Sequence, residues 1–216
     1  MENHKLNANE IFKGLYEKAS GLASTIAETG VDPEIEVIKV RYKSVLKKYK
    51  KTYYLEEGYI KKILCVRELV KLLKLDELGI FYEAFNSPTE VLAFVAAMYR
   101  WSPKFIKINQ LDPTEKYEID LKFVDDLGNT VLLLDVQGEV HRTPEQQAKD
   151  IRKKRYFEGQ NIMYIQIEGT KVKNNWIALV AIITNAIAIS LNDVQVEYLD
   201  KHQKIKRKST VYRKKT

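Results

Sequence analysis

Apolar residues recur every three or four positions through the first part of the chain, the spacing of one buried helix face. A first helix is expected over about Asn9–Glu28, stopping before Gly30. A second begins near Asp32-Pro33-Glu34, with Asp32 as cap and Pro33 at the first helical position. Its residues Ile35, Ile38, Tyr42, Val45, Leu46 and Tyr49 share a face. A third runs from about Glu56 to Leu75. Near Asn86 the texture changes. "NSPTEVLAFVAAMYRW" opens a helix with Ser87 as cap, Pro88 at the first position and Glu90 in the first turn. The period then drops to two. "KYEIDLKFV" and "TVLLLDVQG" flank the turn "DDLGN", which reads as a hairpin. "TPEQQAKDIRKKRYFEGQ" is a capped helix ending near Gly159, "NIMYIQIEG" a further strand, and Trp176–Leu191 a last helix. The order helix, strand, strand, helix, strand, helix is that of an α/β domain, here with a helical N-terminal extension. No repeat or long linker appears, and the expected parts are a helical segment 1–85, an α/β core 86–200 and a tail 201–216.

The hairpin poses the chemical question. Val131 to Leu134 are four apolar residues in a row, yet the strand runs on into Asp135, Gln137 and Gly138. Burying a lone carboxylate is costly unless a cation or donors sit beside it. If the turn centres between Leu127 and Gly128, Asp120 falls opposite Asp135 and Glu118 opposite Gln137. Alternation then puts these four on one face, and Ile119, Leu121 and Phe123 with Leu132, Leu134 and Val136 on the other. Facing like charges destabilise a sheet, so a pair of aspartates there suits a divalent cation between them.

Charge sharpens this. The net charge is +7, but the first 200 residues hold 28 Lys and Arg against 29 Asp and Glu. The surplus lies in the last 16, "KHQKIKRKSTVYRKKT", with eight basic residues and no acid. A second run, Arg41 to Lys51, carries six positive residues with Tyr42 and Tyr49 between them. Together they favour a phosphate-backbone partner, with solvated surface as the bland alternative for each. One cysteine, Cys65, excludes an internal disulfide framework and a Cys-rich zinc module. "NNWIALVAIITNAIAISLN" carries no charge but is just short of the ~20 apolar residues of a span and has Thr184 and Asn185 at its centre; a buried or interface helix is expected, and no membrane association. With no secretory signal in "MENHKLNANE", an intracellular, cytoplasmic location is expected. Phosphate loops of the GxxxxGK kind, zinc spacings and G-x-S-x-G elbows are missing.

Asp120, fourteen residues, then Asp135-Val136-Gln137 resembles the signature of the PD-(D/E)XK nuclease superfamily. The nearest local likeness is to its very-short-patch-repair-like branch. "SPTE" at 87–90, "DVQGEVH" at 135–141, "KDIRKKR" at 149–155 and "NIMYIQI" at 161–167 correspond to that branch's pieces in order. The likeness covers about residues 87–190. It departs at the lysine position, which is Gln137, and at the first acid, which follows Ile119 rather than a proline.

The resemblance implies a restriction-endonuclease-like mixed sheet flanked by helices, and a hydrolase that cleaves DNA phosphodiesters with Mg²⁺ or Mn²⁺. It implies Asp120, Asp135 and the Val136 carbonyl as metal ligands, with Glu90 as a further one; a first-turn glutamate also simply complements the helix dipole. Gln137 would orient the attacking water, and Lys149 or Lys153 could stand in for the missing lysine. His141 either assists proton transfer or makes a structural hydrogen bond. Lys149, Arg152 and Lys154 are candidate phosphate contacts, with helix-surface pairing to Asp150 as the alternative, and Lys206, Arg207 and Lys208 represent the tail. A basic homodimer acting on branched DNA, in the manner of a junction resolvase, is the expected variant. A Lys-, Ile- and Tyr-rich composition suits a virus or mobile element, which would place the protein in the host cytoplasm. A catalytically inactive nucleic-acid-binding descendant and an RNA-directed nuclease remain the alternatives.

Overall fold

The computed structural model describes residues 7–49, 56–138 and 144–203, and of Tyr49 and the residues beyond 191 the backbone alone. Three helices come first: α1 (Ala8–Thr29), α2 (Ile35–Tyr49) and α3 (Glu56–Leu72). Asn7 and Glu10 close a capping box at the start of α1, and Gly30, at φ 63°, ends it. Small Ala19 and Ala23 are the fully buried positions of α1, which packs on α3. The third helix is the buried one, with Tyr59, Ile63, Leu64, Val66 and Leu69 inside. It also buries Arg67, whose guanidinium reaches Asp32 at 2.5 Å, Glu68 at 2.9 Å and Glu34 at 3.5 Å. A buried cation is tolerated only when paired. Here it fastens the α1–α2 turn to α3.

The helix α4 (Pro88–Met98) begins at the Ser87 cap, as expected, and is buried along most of its length. Four strands follow in a single mixed sheet of order β1-β2-β3-β4: β1 (Ile106–Leu111), β2 (Glu118–Val124), β3 (Thr130–Gln137) and β4 (Tyr164–Glu168). The first two pairings are antiparallel and the last is parallel, as a strand–helix–strand crossover through α5 (Pro144–Gly159) requires. The short α6 (Gly169–Asn174) and the long α7 (Trp176–Gln203) complete the chain. Leu121, Phe123, Leu132 and Leu134 face α4 and α7, whereas Leu133 and Tyr164 face Phe157 of α5. The sheet is therefore covered on both sides. One buried cluster runs from Ala19 and α3 through α4 and the sheet to Ile187, across the expected boundary near Asn86.

The hairpin takes the expected register: Leu121, Lys122 and Phe123 pair with Leu134, Leu133 and Leu132. A one-residue shift follows at Phe123/Val124, beside a turn in which the Asp125 carboxylate accepts the Leu127 and Asn129 amides and Gly128 takes φ 85°. Three features depart from the sequence reading. An edge strand, β1, precedes the hairpin, broken in its middle by Asn109 at φ 48°. Opposite that break β2 changes face, so Ile119 joins Leu133 and Phe157 rather than Leu121 and Phe123. The last helix extends well past Leu191. No helix among the described residues is long and apolar enough to cross a membrane.

The β1–β2 connection is organised by Asp112, which is 2% exposed. Its carboxylate accepts the amides of Thr114, Lys116 and Tyr117 at 3.0, 2.8 and 2.5 Å, and the Thr114 hydroxyl at 2.5 Å. Burial alone would raise its pKa, but these donors outweigh it and leave the carboxyl below its ordinary value. A depressed folded pKa gives a contribution that is full above roughly pH 4 and lost as pH falls through the folded value. Asp112→Ala should therefore cost about 2 kcal/mol in urea unfolding at pH 7, since it strands buried amides. The gap from wild type should narrow as pH drops below about 4.

Candidate active site

The paired part of β2 and β3 ends at Leu121 and Leu134, and beyond it side chains take over from backbone. The Val136 amide donates to the Asp120 carboxylate at 2.7 Å, and the Asp120 amide donates to Asp135 Oδ1 at 3.3 Å. The two aspartates thus sit across the strands from one another, as the register predicted, each satisfying an amide of the opposing strand. Burial, then the neighbouring charges of Glu90 and Asp135, push the Asp120 carboxyl well above its ordinary value; the Val136 amide and Lys153 oppose them.

Glu90 arrives from the first turn of α4 and is 5% exposed. It accepts the Asn86 amide at 2.8 Å, the Ser87 hydroxyl at 2.9 Å and Asn109 Nδ2 at 3.0 Å. The first two bonds complete the cap of α4; the third explains the left-handed Asn109, whose amide also reaches the Ala84 carbonyl at 2.7 Å. Burial raises the Glu90 pKa against these donors and Lys62.

From α5 the Lys153 ammonium forms an ion pair with Asp135 and donates to the Glu118 carbonyl at 2.7 Å. The Tyr164 hydroxyl donates to the same aspartate at 2.6 Å, and burial followed by the Asp135 charge pushes that phenol upward, so it stays a donor. Gln166 Nε2 in turn donates to the Tyr164 oxygen at 2.9 Å. Gln137 Nε2 donates to Asp150 at 3.4 Å, and Gln146 holds the other oxygen of Asp150 at 3.0 Å. Asp150 is 8% exposed and faces the site. Behind Gln137, a Cβ on Gly169 would lie 3.2 Å from the Gln137 carbonyl oxygen and 3.4 Å from a Thr89 methyl, closing a seam between β3, α4 and α6.

These groups lie in a groove of about 910 Å³. One wall carries Glu90, Asp120, Asp135, Gln137, Asp150 and Lys153, with Lys149 exposed beside them. The other comes from α2 and α3 and includes Arg41, Val45, Leu46, Lys48, Tyr59 and Lys62. Burial holds the Lys62 ammonium below the ordinary lysine value, partly offset by Glu90 across the groove. Of the expected residues, the structure brings together Glu90, Asp120, Asp135, Val136, Gln137, Lys149 and Lys153. It leaves Arg152 and Lys154 on the outer surface of α5, the first bonded to the Ala148 carbonyl and the second near Glu158. His141 and the tail residues Lys206, Arg207 and Lys208 lie outside the described residues. Tyr164, Asn109 and Lys62 are not legible in the sequence as site residues; the first carries a hydroxyl in a strand whose polar positions 164, 166 and 168 alternate with isoleucines, and the other two have no local signal.

Among the described residues no group of three or more His, Cys, Asp or Glu is arranged to hold a metal ion. The donors nonetheless fit a hard cation in kind: two carboxylates on facing strands, mutually repelling and partly buried. Glu90 and Asp135 each already accept from three protein donors, which a cation would have to displace in part; Glu90 fits less well because it is the more deeply buried of the two. No family model, curated protein or solved structure matches the chain.

At neutral pH a buried carboxylate with a raised pKa burdens the fold. Asp120→Asn should therefore raise the unfolding free energy by about 1 kcal/mol, the usual gain when a strained functional group is removed. Thermal melts of the two proteins at pH 7 check this, and a clear loss of stability would refute it.

Proposed function

We propose that the protein is a divalent-metal-dependent DNA endonuclease with a restriction-endonuclease-like core, resolvase-like in its preference for branched DNA. The observation that supports this best is the opening of the β2–β3 ladder at Asp120 and Asp135, with Glu90 and Lys153 converging there in a cation-lined groove. Phosphodiester hydrolysis needs the scissile phosphate held, a water aimed at it and the leaving oxygen stabilised. Bound Mg²⁺ or Mn²⁺ would be held by Asp120, Asp135 and the Val136 carbonyl and would supply polarisation of the phosphate. Lys153, from α5, takes the place that Gln137 leaves without a charge. Its ammonium, now on Asp135, is positioned to stabilise anionic oxygen in the groove. Gln137, oriented by Asp150, positions water through its amide and takes no proton. Glu90, locked by three donors, holds the start of α4 and sets the charge beside Asp120.

The homodimer belongs to the same proposal, with Ile182 and Ile189, exposed and one heptad apart on α7, as apolar surface for it. The inactive-binder reading has one observation in its favour: Gln137 at the lysine position is engaged by Asp150.

Cleavage of labelled linear, nicked and four-way-junction DNA with Mg²⁺, Mn²⁺ or EDTA tests the proposal. Metal-dependent cutting is expected, lost in Asp135→Ala and reduced about 10²- to 10³-fold in Lys153→Ala. Tight binding without cutting under either metal would leave the inactive binder. Replacing Lys206, Arg207 and Lys208 by alanine should leave the cutting rate at saturation unchanged while lowering the salt slope of binding by up to about 3. An unchanged slope would show that these residues do not meet phosphate.

A further inference from the structure

The wall of the groove opposite the acids is built from the N-terminal helices, and its composition is ordered. Arg41, Val45 and Lys48 are four and three residues apart, one stripe along α2, with Leu46 beside them. A ligand lying along α2 meets a cation, an apolar surface and then a second cation about 10 Å further on. Lys62 on α3 adds a third cation near the acid cluster. Arg41 donates to the Glu83 carbonyl at 3.3 Å, and its Nη1 is left without a hydrogen-bond partner.

Charge at both ends and apolar surface between them match a polymer that presents phosphates and exposed base faces together. A duplex does not: its bases are stacked inside, and only their edges show in the grooves. An unpaired strand does, because its bases offer apolar faces that an aliphatic surface can cover. Size agrees. At about 910 Å³ the groove is of the scale that encloses a small organic ligand, roughly 300–1,000 Å³, which suits a few nucleotides of one strand.

We propose that the groove between α2–α3 and the acid-bearing end of the sheet binds a single unpaired nucleic-acid strand, with phosphates on Arg41, Lys48 and Lys62 and a base against Val45 and Leu46. The inference rests on the nuclease reading for the orientation of the strand toward Asp120 and Asp135. It assigns the N-terminal helices the task of choosing the substrate. On branched DNA the strand bound is the one that has left the duplex at the branch.

The test is fluorescence anisotropy with the full-length protein in EDTA, so that cutting plays no part. The probes are a mixed-sequence DNA strand, the same strand annealed to its complement, and an RNA strand of that sequence. Wild type should bind the DNA strand about tenfold more tightly than the duplex. Leu46→Ser and Lys48→Gln should each weaken strand binding about fivefold and leave duplex binding unchanged. Lys48 is exposed, so its variant remains informative if Leu46→Ser does not fold. Tighter binding of RNA than of DNA upholds the proposal and assigns the strand as RNA. Duplex binding as tight as strand binding overturns it, as does wild-type strand affinity in Lys48→Gln. Strand preference without metal-dependent cutting would sink the nuclease reading alone; cutting without strand preference would sink only this one.

Discussion

The hydrogen bond from the Val136 amide to the Asp120 carboxylate marks where a sheet stops being only a sheet. In a regular ladder that amide would meet a backbone carbonyl on β2. Here β2 turns over opposite Asn109, and a side chain makes the bond instead. Because the carboxylate is needed by the backbone, it is held at one place and one orientation. Asp135 is drawn in by the reciprocal bond from the Asp120 amide. The rest of the site follows from the need to accommodate two acids so fixed: Lys153 and Tyr164 satisfy Asp135, and Glu90 is kept in place by its own three donors.

The N-terminal helices make this arrangement possible at a distance. Arg67 is buried in α3 and holds the α1–α2 turn, which sets where α2 runs. The same α3 packs on α4, whose first turn delivers Glu90, and presents Lys62 to the groove. The sheet supplies the acids, the helices supply the facing cations, and both belong to one continuous core.

Much of the local structure could be read from residue order. Ser87-Pro88-Thr89-Glu90 carries its own helix-start chemistry, and "DDLGN" marks the hairpin; the turn itself pairs Val124 with Thr130, and the one-residue shift beside it restores the register that brings Asp120 opposite Asp135. Lys149 and Lys153 in "KDIRKKR" share one helix face, so helix phase cannot choose between them; how far α5 lies along the sheet, with Phe157 packed on Leu133 and Tyr164, sets Lys153 beside Asp135 and leaves Lys149 exposed. What could not be read depends on partners far away in sequence. The strand β1 is short, lies at the edge and contains a left-handed asparagine, so its alternation is broken where a pattern would be sought. Ile119 was assigned to the wrong face because strict alternation does not anticipate that break. Lys62 is an ordinary lysine on a buried helix until the fold sets it across from Glu90.

Gly169 gives the site a property apart from its chemistry. A methyl group there would crowd the Gln137 carbonyl and touch Thr89, although these belong to two different elements. The end of β3 and the first turn of α4 are therefore kept at their present separation by the smallest side chain available. A larger residue here would move the Gln137 carbonyl by a few tenths of an ångström, so the spacing of the site can be tuned through a position that carries no functional group.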